Sequence, residues 1–548
     1  LLALAGLALN LLLGDTGPQA PWAAGAAAFV TFGGLALAFA ISRPAILPAA
    51  LFALLIAMVM GGIAYKVVRL EERVAGEEYA FAAGVFFTLL ALPLFQAGFH
   101  RTRLATSYAD THFHVWADAV SGAGALAFTG IAWALLALLD QLFGLVGIDL
   151  IGDLIDEGWF AWAFSGAAFG AALGVLRNNL RIVGALQGVV LLVLSLLAVP
   201  LALALLLFLA LLIASGGAAL WDATDAATPV LLSCAAGSFV LCNAVIRDDD
   251  AARSPNRLLH LAAAVLAAGI LPLALFAAVS MGLRIDQHGL SPERIWGLIA
   301  VAVASAYGFA AWVALGRGRR AGWSEGLRQA NLRLAAGVCV VALVLALPLA
   351  DFGAISARNQ VARLEAGKVS AEEFDFAALR WDFGAAGQAV LADLAVREGA
   401  VGEQARLAQA QTERPGYWMR EQLRTGFTGT LRVQPADPAL EALVRDWLAA
   451  NPWQCSDYCV AVDLGCAEDG RREVALVQGY GYERVLLGEG TMPEQPAAPA
   501  AARELPPLDA SSQVEVRTVP SRYITIDGQR IGPPLEVAGP LEAAPPGR

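Results

Sequence analysis

Apolar blocks of about twenty residues recur along the first 350 positions, and arginines return in every second gap between them. A bilayer needs about 20 apolar residues per helical crossing, so this pattern commits the chain to a bundle of membrane helices. Candidate spans are 1–13, 22–41, 45–66, 79–99, 117–139, 159–176, 184–213, 228–246, 258–280, 295–315 and 332–350, about eleven in all. The first, "LLALAGLALNLLL", is too short to cross alone and reads as the end of a helix that starts before the numbered chain. It lacks the basic start and small-residue cleavage pattern of a secretory leader. The 184–213 block is long and holds Pro200, which can kink or divide a helix.

Composition supports the same class. Hydrophobic residues make up 58% of the chain and charged residues 16%, against about 25% charged in soluble domains. The apolar excess ends near residue 350. The expected fold is a polytopic α-helical membrane protein with a small C-terminal α+β extracytoplasmic domain. Residues 1–350 form the transmembrane part and 351–490 carry juxtamembrane helices and the α+β domain. Residues 491–548 are a Pro/Ala-rich linker, a hairpin and a disordered tail. The net charge of -11 and the lack of a Lys/Arg-rich run argue against nucleic acid as a partner. The lipid bilayer is the partner the composition implies.

Orientation follows from Lys and Arg in short loops. Alternate loops carry Arg43; Arg101 and Arg103; Arg177 and Arg181; Arg247, Arg253 and Arg257; and Arg317, Arg319, Arg320 and Arg328. The intervening loops "GDTGPQ", "DLIGDLIDEG" and "WDATDAAT" are acidic or neutral, while "KVVRLEERVAGEE" and "LRIDQHGLSPER" are mixed. Arg177, Arg181, Arg317, Arg319 and Arg320 are the main topology determinants. They place the Arg-rich loops in the cytoplasm and everything after Asp351 outside, in a periplasm or its equivalent. Cys234, Cys242 and Cys339 fall inside apolar spans and read as small hydrophobes. Cys455, Cys459 and Cys466 lie in the exported part, where two of the three can pair in an oxidising compartment. Zinc is the rival reading, although no His follows Cys466.

Past residue 350, "ISARNQVARLEAGK" has helical amphipathicity. "SAEEF" is a capping box from Ser370 to Glu373 that opens a helix toward "LRWDFGAAGQAVLADLA", broken near Gly384. "DPALEALVRDWLAAN" has Asp437 as N-cap, with Leu440, Val444, Trp447 and Leu448 on one face. The period then changes to two. "YCVAVDLG", "REVALVQGY" and "YERVLLGE" predict three antiparallel strands. "VEVRTV" and "YITIDGQRI" predict a further hairpin turned at Asp527-Gly528.

Three stretches resemble the bacterial domain-of-unknown-function 4153 family of multi-pass inner-membrane proteins. They are "YADTHFHVWADAVSGAGALAFTGIAWALLALLDQLFGLVGI", "HGLSPERIWGLIAVAVASAYG" and "NQVARLEAGKVSAEEFDFAALRWDFGAAGQAVLADLA". The second and third are the specific ones, and the likeness extends over roughly residues 20 to 490. In the first it rests on Tyr108, Trp116 and the apolar positions after them, leaving out His112 and His114. The resemblance implies a multi-pass membrane protein and no catalytic residues, binding residues or cofactor.

"DTHFHVWADAV" crowds Asp110, His112, His114 and Asp118 into nine positions. His114 and Asp118 stand four apart, on one helix face, and Asp110 could join them on a metal. A metal site usually needs three or four protein ligands, and no second His-rich segment accompanies these. A polar start to a membrane helix is the more economical reading. Asp149, Asp153, Asp156 and Glu157 fit an interfacial helix. Asn10, Lys66, Asn243, His260 and Tyr307 are polar groups within spans, mostly near span ends, where snorkelling explains them. Asp463, Asp469 and Glu473 lack EF-hand spacing and suit a hairpin turn at Asp469-Gly470.

No P-loop, dinucleotide fingerprint or nucleophile elbow occurs in a fitting context. Three readings follow. The leading one is a non-enzymatic envelope scaffold or sensor that binds an envelope protein through residues 351–490. The second is a transporter or lipid-handling protein, and the third is a membrane enzyme acting at the outer surface. A transporter requires a polar cavity at mid-membrane depth. An enzyme requires a cleft of converging titratable groups. A scaffold requires an exposed apolar patch on the C-terminal domain.

Overall fold

Runs of Leu, Ala, Val and Phe can satisfy their main-chain polar groups without water only by closing them within a helix. The computed structural model shows them doing so. It describes residues 1–14, 20–41, 46–69, 75–215, 227–251, 256–318, 322–347, 349–412, 414, 427, 429–455, 458–467, 471–478, 481–487, 522–526 and 529–536. The helices of the apolar part are α1 (Leu2–Leu13), α2 (Pro21–Ala40), α3 (Ile46–Arg69), α4 (Glu77–Gln96), α5 (Tyr108–Gly144), α6 (Leu150–Asp156), α7 (Gly158–Asn178), α8 (Leu180–Ala214), α9 (Ala227–Ile246), α10 (Arg257–His288), α11 (Pro292–Arg317) and α12 (Trp323–Ala346). Among the described residues ten helices are long and apolar enough to cross a membrane, and α1 is a shorter apolar one. They coincide with the expected spans. Two boundaries differ in ways that matter. The α5 helix begins nine residues before the expected 117, because Ser107 caps it by accepting from the Asp110 amide at 3.2 Å. The α8 helix continues through Pro200 undivided.

Contacts divide the chain into two units, residues 1–369 with 382–389 and residues 370–381 with 390–548. The first unit holds α1 to α12. One of its two most buried helices, α10, lines its inner faces with Ala262, Ala263, Leu266, Ala267, Ile270, Ala274 and Ala277. Small side chains let membrane helices approach closely, where lipid tails remove most of the hydrophobic drive to associate. The closest approaches have no room for a side chain at all. A Cβ on Gly6 would collide with the carbonyl of Trp162, and one on Gly166 with the carbonyl of Leu2, so α1 and α7 cross backbone to backbone. Pro272 inside α10 removes the amide that would bond Ala268. Trp312 of α11 supplies the missing donor, its Nε1 reaching the Ala268 carbonyl at 2.8 Å. The α12 helix joins two apolar cores: Trp323 and Leu327 pack with α8 to α11, and Leu332, Cys339, Ala342 and Ala346 pack with α2 to α4. Leu196, Leu203, Leu207 and Leu211 of α8 are exposed, as a lipid-facing surface requires.

A further helix, α13 (Phe352–Glu365), belongs to this unit, with Asp351 capping it through the Ala354 amide at 2.9 Å. It fastens the connection between α10 and α11. Gln360 Nε2 donates to the carbonyls of His288 (2.8 Å) and Leu290 (2.9 Å), Asn359 Oδ1 accepts from the Leu290 amide (2.9 Å), and Arg363 reaches the Gln287 carbonyl (3.0 Å). Gly289 has φ +74°, and a Cβ there would also strike Gln360.

The C-terminal region opens with α14 (Phe376–Trp381), α15 (Gly384–Ala395) and α16 (Ala400–Gln409). The Ser370 hydroxyl does accept from the Glu373 amide at 3.3 Å. It heads turns rather than a helix, and α14 is capped instead by Asp375 through the Ala378 amide at 3.1 Å. The expected break near Gly384 separates α14 from α15.

Then β1 (Thr430–Gln434), α17 (Pro438–Ala450) and β2 (Tyr458–Cys466) form a β-α-β unit with parallel strands. β3 (Arg472–Gln478) and β4 (Gly481–Leu487) complete an antiparallel meander in the order β1-β2-β3-β4. Asp437 caps α17, accepting from the Ala439 and Leu440 amides at 2.9 and 3.3 Å. The buried face of α17, Leu440, Val444 and Leu448, packs on Leu431, Val433, Val474, Leu476 and Val485 of the sheet.

Cys455 and Cys459 are joined by a disulfide, Cα to Cα 6.0 Å, and Cys466 is a free, exposed thiol. A separate hairpin, β5 (Arg522–Ile526) with β6 (Gln529–Glu536), places Ile524 against Ala475 and Val477. The 491–508 linker, "VEVRTV" and the turns at Asp469-Gly470 and Asp527-Gly528 lie outside the described residues.

Candidate functional site

The cluster singled out in "DTHFHVWADAV" occupies the first turns of α5, and the helix sends its members to different neighbours. Residues two apart on a helix point to nearly opposite sides, while residues four apart share one. Asp110 is exposed, at the first turn. Asp118 faces α4, where Gln96 Nε2 donates to its Oδ1 at 3.2 Å and also to the Phe39 carbonyl at 2.9 Å. Arg177, near the end of α7, donates to the Ala38 carbonyl and is close enough to act electrostatically on both Asp118 and His114. This is an arrangement of one carboxylate, one amide and one guanidinium tying α5 to the ends of α2, α4 and α7. Among the described residues no group of three His, Cys, Asp or Glu side chains is placed to hold a metal ion.

His112 turns the other way and is buried, beside Tyr108 and Trp116, with neither ring nitrogen hydrogen-bonded. On this side the Tyr108 hydroxyl donates to Asn243 Oδ1 at 3.1 Å, and Asn331 Nδ2 donates to the same oxygen at 2.8 Å. These bonds link α5, α9 and α12. One turn earlier on α12, Arg328 is 1% exposed. Its guanidinium takes the carbonyls of Ile246 (2.6 Å) and Arg247 (3.1 Å) at the end of α9, together with Asp250 (3.0 Å) and Glu325 (3.3 Å). A helix end leaves carbonyls without intrahelical partners, and a cation there also complements the helix dipole. Sequence reading took Arg328 as one more loop arginine; it is the central tie of this polar layer.

At the opposite end of α4 and α12 lies a cavity of about 620 Å³. That lies within the ~300–1,000 Å³ typical of small-molecule sites. Its wall is Met58, Gly62 and Lys66 on α3, Ala80 on α4, Trp296 on α11, Val344 on α12, and neighbours of these. Met58 and Val344 in this wall are themselves 54% and 46% exposed. The cavity therefore reaches the lateral surface between α3 and α12. Nothing stands within 4 Å of where a Gly62 side chain would start, which keeps the slot open. Polar groups in the wall are few. Lys66 is half-buried and has no hydrogen-bond or ion-pair partner among the described residues. Asp351 is engaged as the α13 cap. Trp296 stacks on Tyr79 and meets Phe352 edge-on, and its Nε1 is buried without a partner. Sequence reading explained Lys66 by snorkelling alone; the wall around it could not be seen in one span.

The remaining candidates are dispersed. Arg177 ends α7, Arg181 starts α8 and Arg317 ends α11, all at the polar-layer end; Arg319 and Arg320 lie outside the described residues, as do Arg43 and Arg253. Asp149 to Glu157 surround α6, whose residues are exposed or half-buried. Asp463 is bound by Arg472, whose Nε reaches Oδ1 at 2.9 Å, and by the Gly465 amide at 3.0 Å. The guanidinium holds the Asp463 carboxyl below the usual carboxylate range.

Ten long apolar helices, a polar layer at one end and an apolar cavity at the other define a polytopic helical membrane protein with a C-terminal α+β region. The chain belongs to the family described as Domain of unknown function (DUF4153), whose sequence model matches residues 26–394. The match ends with α15, before the β-sheet and short of residue 490. No curated protein and no solved structure matches the chain. The two most specific stretches of the family resemblance touch one another. Asn359, Gln360 and Arg363 of the third bind the main chain around His288 to Leu290 of the second. That fastening sets the start of α11, where Ser291 caps the helix through the Arg294 amide at 3.3 Å and Trp296 follows in the cavity wall.

Proposed function

We propose that this is a lipid-handling membrane protein whose cavity takes one acyl chain of a bilayer lipid. The observation that carries this reading is the cavity: mostly apolar, at one end of the bundle, and reaching the lateral surface at Met58 and Val344. Burying an acyl chain is favourable by ~0.8 kcal/mol per CH₂ when the alternative is water. Within a bilayer, selection rests on fit. A transporter of polar solutes is disfavoured because the cavity is not polar, and an enzyme because Lys66 and Asp351 are its only charged lining groups among the described residues. The scaffold reading loses ground as well. Among the described residues the large exposed apolar side chains after residue 370 are three, Val396, Leu443 and Tyr458, each from a different segment. The arginine alternation supports an extracytoplasmic side for the α+β region.

The test uses the full chain in mild detergent with a phosphatidylcholine that carries a diazirine in one acyl chain. Labelling is expected on α3 and α12 around Met58, Gly62 and Val344, and Gly62→Phe is expected to suppress it. Equal labelling of all lipid-facing helices, unchanged by Gly62→Phe, would overturn the reading.

A further inference from the structure

We infer that the cavity selects lipids with an anionic headgroup, and that Lys66 is the residue that recognises it; this rests on the lipid-handling reading. Among the described residues Lys66 is the only cation lining the cavity and forms no ion pair with a carboxylate. A half-buried ammonium beside apolar walls needs either water or a counter-charge. Among the described residues Asp351 is the cavity's one carboxylate, and it caps α13 by accepting from the Ala354 amide; Glu78 and Glu293 do not line the cavity.

The geometry of α3 places the charge appropriately for an amphiphile. Met58, Gly62 and Lys66 are four apart, so they form one stripe along the helix. Met58 lies toward the middle of the span and Lys66 toward its end. An acyl chain along Met58 and Gly62 would bring its headgroup to Lys66, which is the order of apolar tail and charged head in a membrane lipid. The same wall holds Trp296, whose Nε1 is buried without a partner, and a Cβ on Gly76 would sit 3.3 Å from it. Lysine binds phosphate as a compact point charge with three donors. A phosphodiester or phosphomonoester headgroup of net negative charge therefore fits, and a zwitterion, whose own ammonium competes for the phosphate, fits less well.

The experiment is competition against the diazirine-bearing phosphatidylcholine by unlabelled phosphatidylglycerol or phosphatidylcholine with identical chains, on the full chain and on two variants. In the wild-type chain phosphatidylglycerol is expected to displace the probe roughly fivefold better, the ratio that ~1 kcal/mol per basic residue at a lipid surface corresponds to. Lys66→Gln is expected to erase that preference while the probe still labels α3 and α12, and Lys66→Arg to keep it. If the wild-type chain labels in the cavity and shows no preference, the anion inference falls and the lipid reading stands. If Lys66→Gln retains the preference, Lys66 is not the recognition element and the inference falls. If the cavity is never labelled, both fall.

Discussion

The two ends of the helical bundle use polar side chains in opposite ways. At the polar-layer end, Gln96, Asp118, Arg177, Asn243, Arg328 and Asn331 each reach across to another helix, often to a backbone carbonyl. At the cavity end, Lys66 reaches no partner among the described residues, and the walls are mostly apolar. The difference teaches which polar residues hold the fold and which are available to something outside it. A polar group in a membrane protein that is tied to several helices is a fastener. One that lines a space and is tied to none is a candidate for recognition.

Four substitutions test this contrast. The largest effect is expected from Arg328→Ala. It strands the Ile246 and Arg247 carbonyls and should cost ~1–3 kcal/mol for each buried acceptor left unsatisfied, seen as a large fall in melting temperature of the detergent-solubilised chain. A variant as heat-stable as the wild type would break the comparison at its strongest point. Next come two equal enlargements. Ala263→Leu on the buried face of α10, where the residue is 0% exposed, should cost ~1–3 kcal/mol by overpacking. Ala80→Leu, which projects into the cavity wall, should leave the melting temperature near the wild-type value. Equal losses would mean that the cavity end is packed as tightly as the core. The smallest effect is expected from Lys66→Gln, whose melting curve without added lipid should overlay that of the wild type.

The spans were legible because about twenty apolar residues in a row have one structural solution in a bilayer. Caps were legible where a side chain serves an amide two or three residues away, as Asp437 does for Ala439 and Leu440. Longer-range ties were not. Asn359 and Gln360 serve a connection some 70 residues earlier, and a single sequence contains no sign of that pairing. The His114 and Asp118 spacing correctly put both on one face of α5, toward Arg177. The same helical arithmetic would have sent His112 to the other side, had the start of α5 been drawn at Tyr108 rather than 117. Strand β1 was missed because "TLRVQ" is five residues long; its partner β2 lies beyond a whole helix. The alternation was there, with Leu431 and Val433 inward, but only the β-α-β context gives it meaning.

Arg328 also bears on how the chain can be assembled. Ile246, Arg247, Asp250 and Glu325, the groups that bind its guanidinium, all precede it in the sequence. A chain made from its N-terminus therefore delivers the receptor before the charge. By the time α12 leaves the ribosome, α9 has its end ready, and the arginine can be met as it arrives rather than waiting in the translocation channel for a partner not yet synthesised.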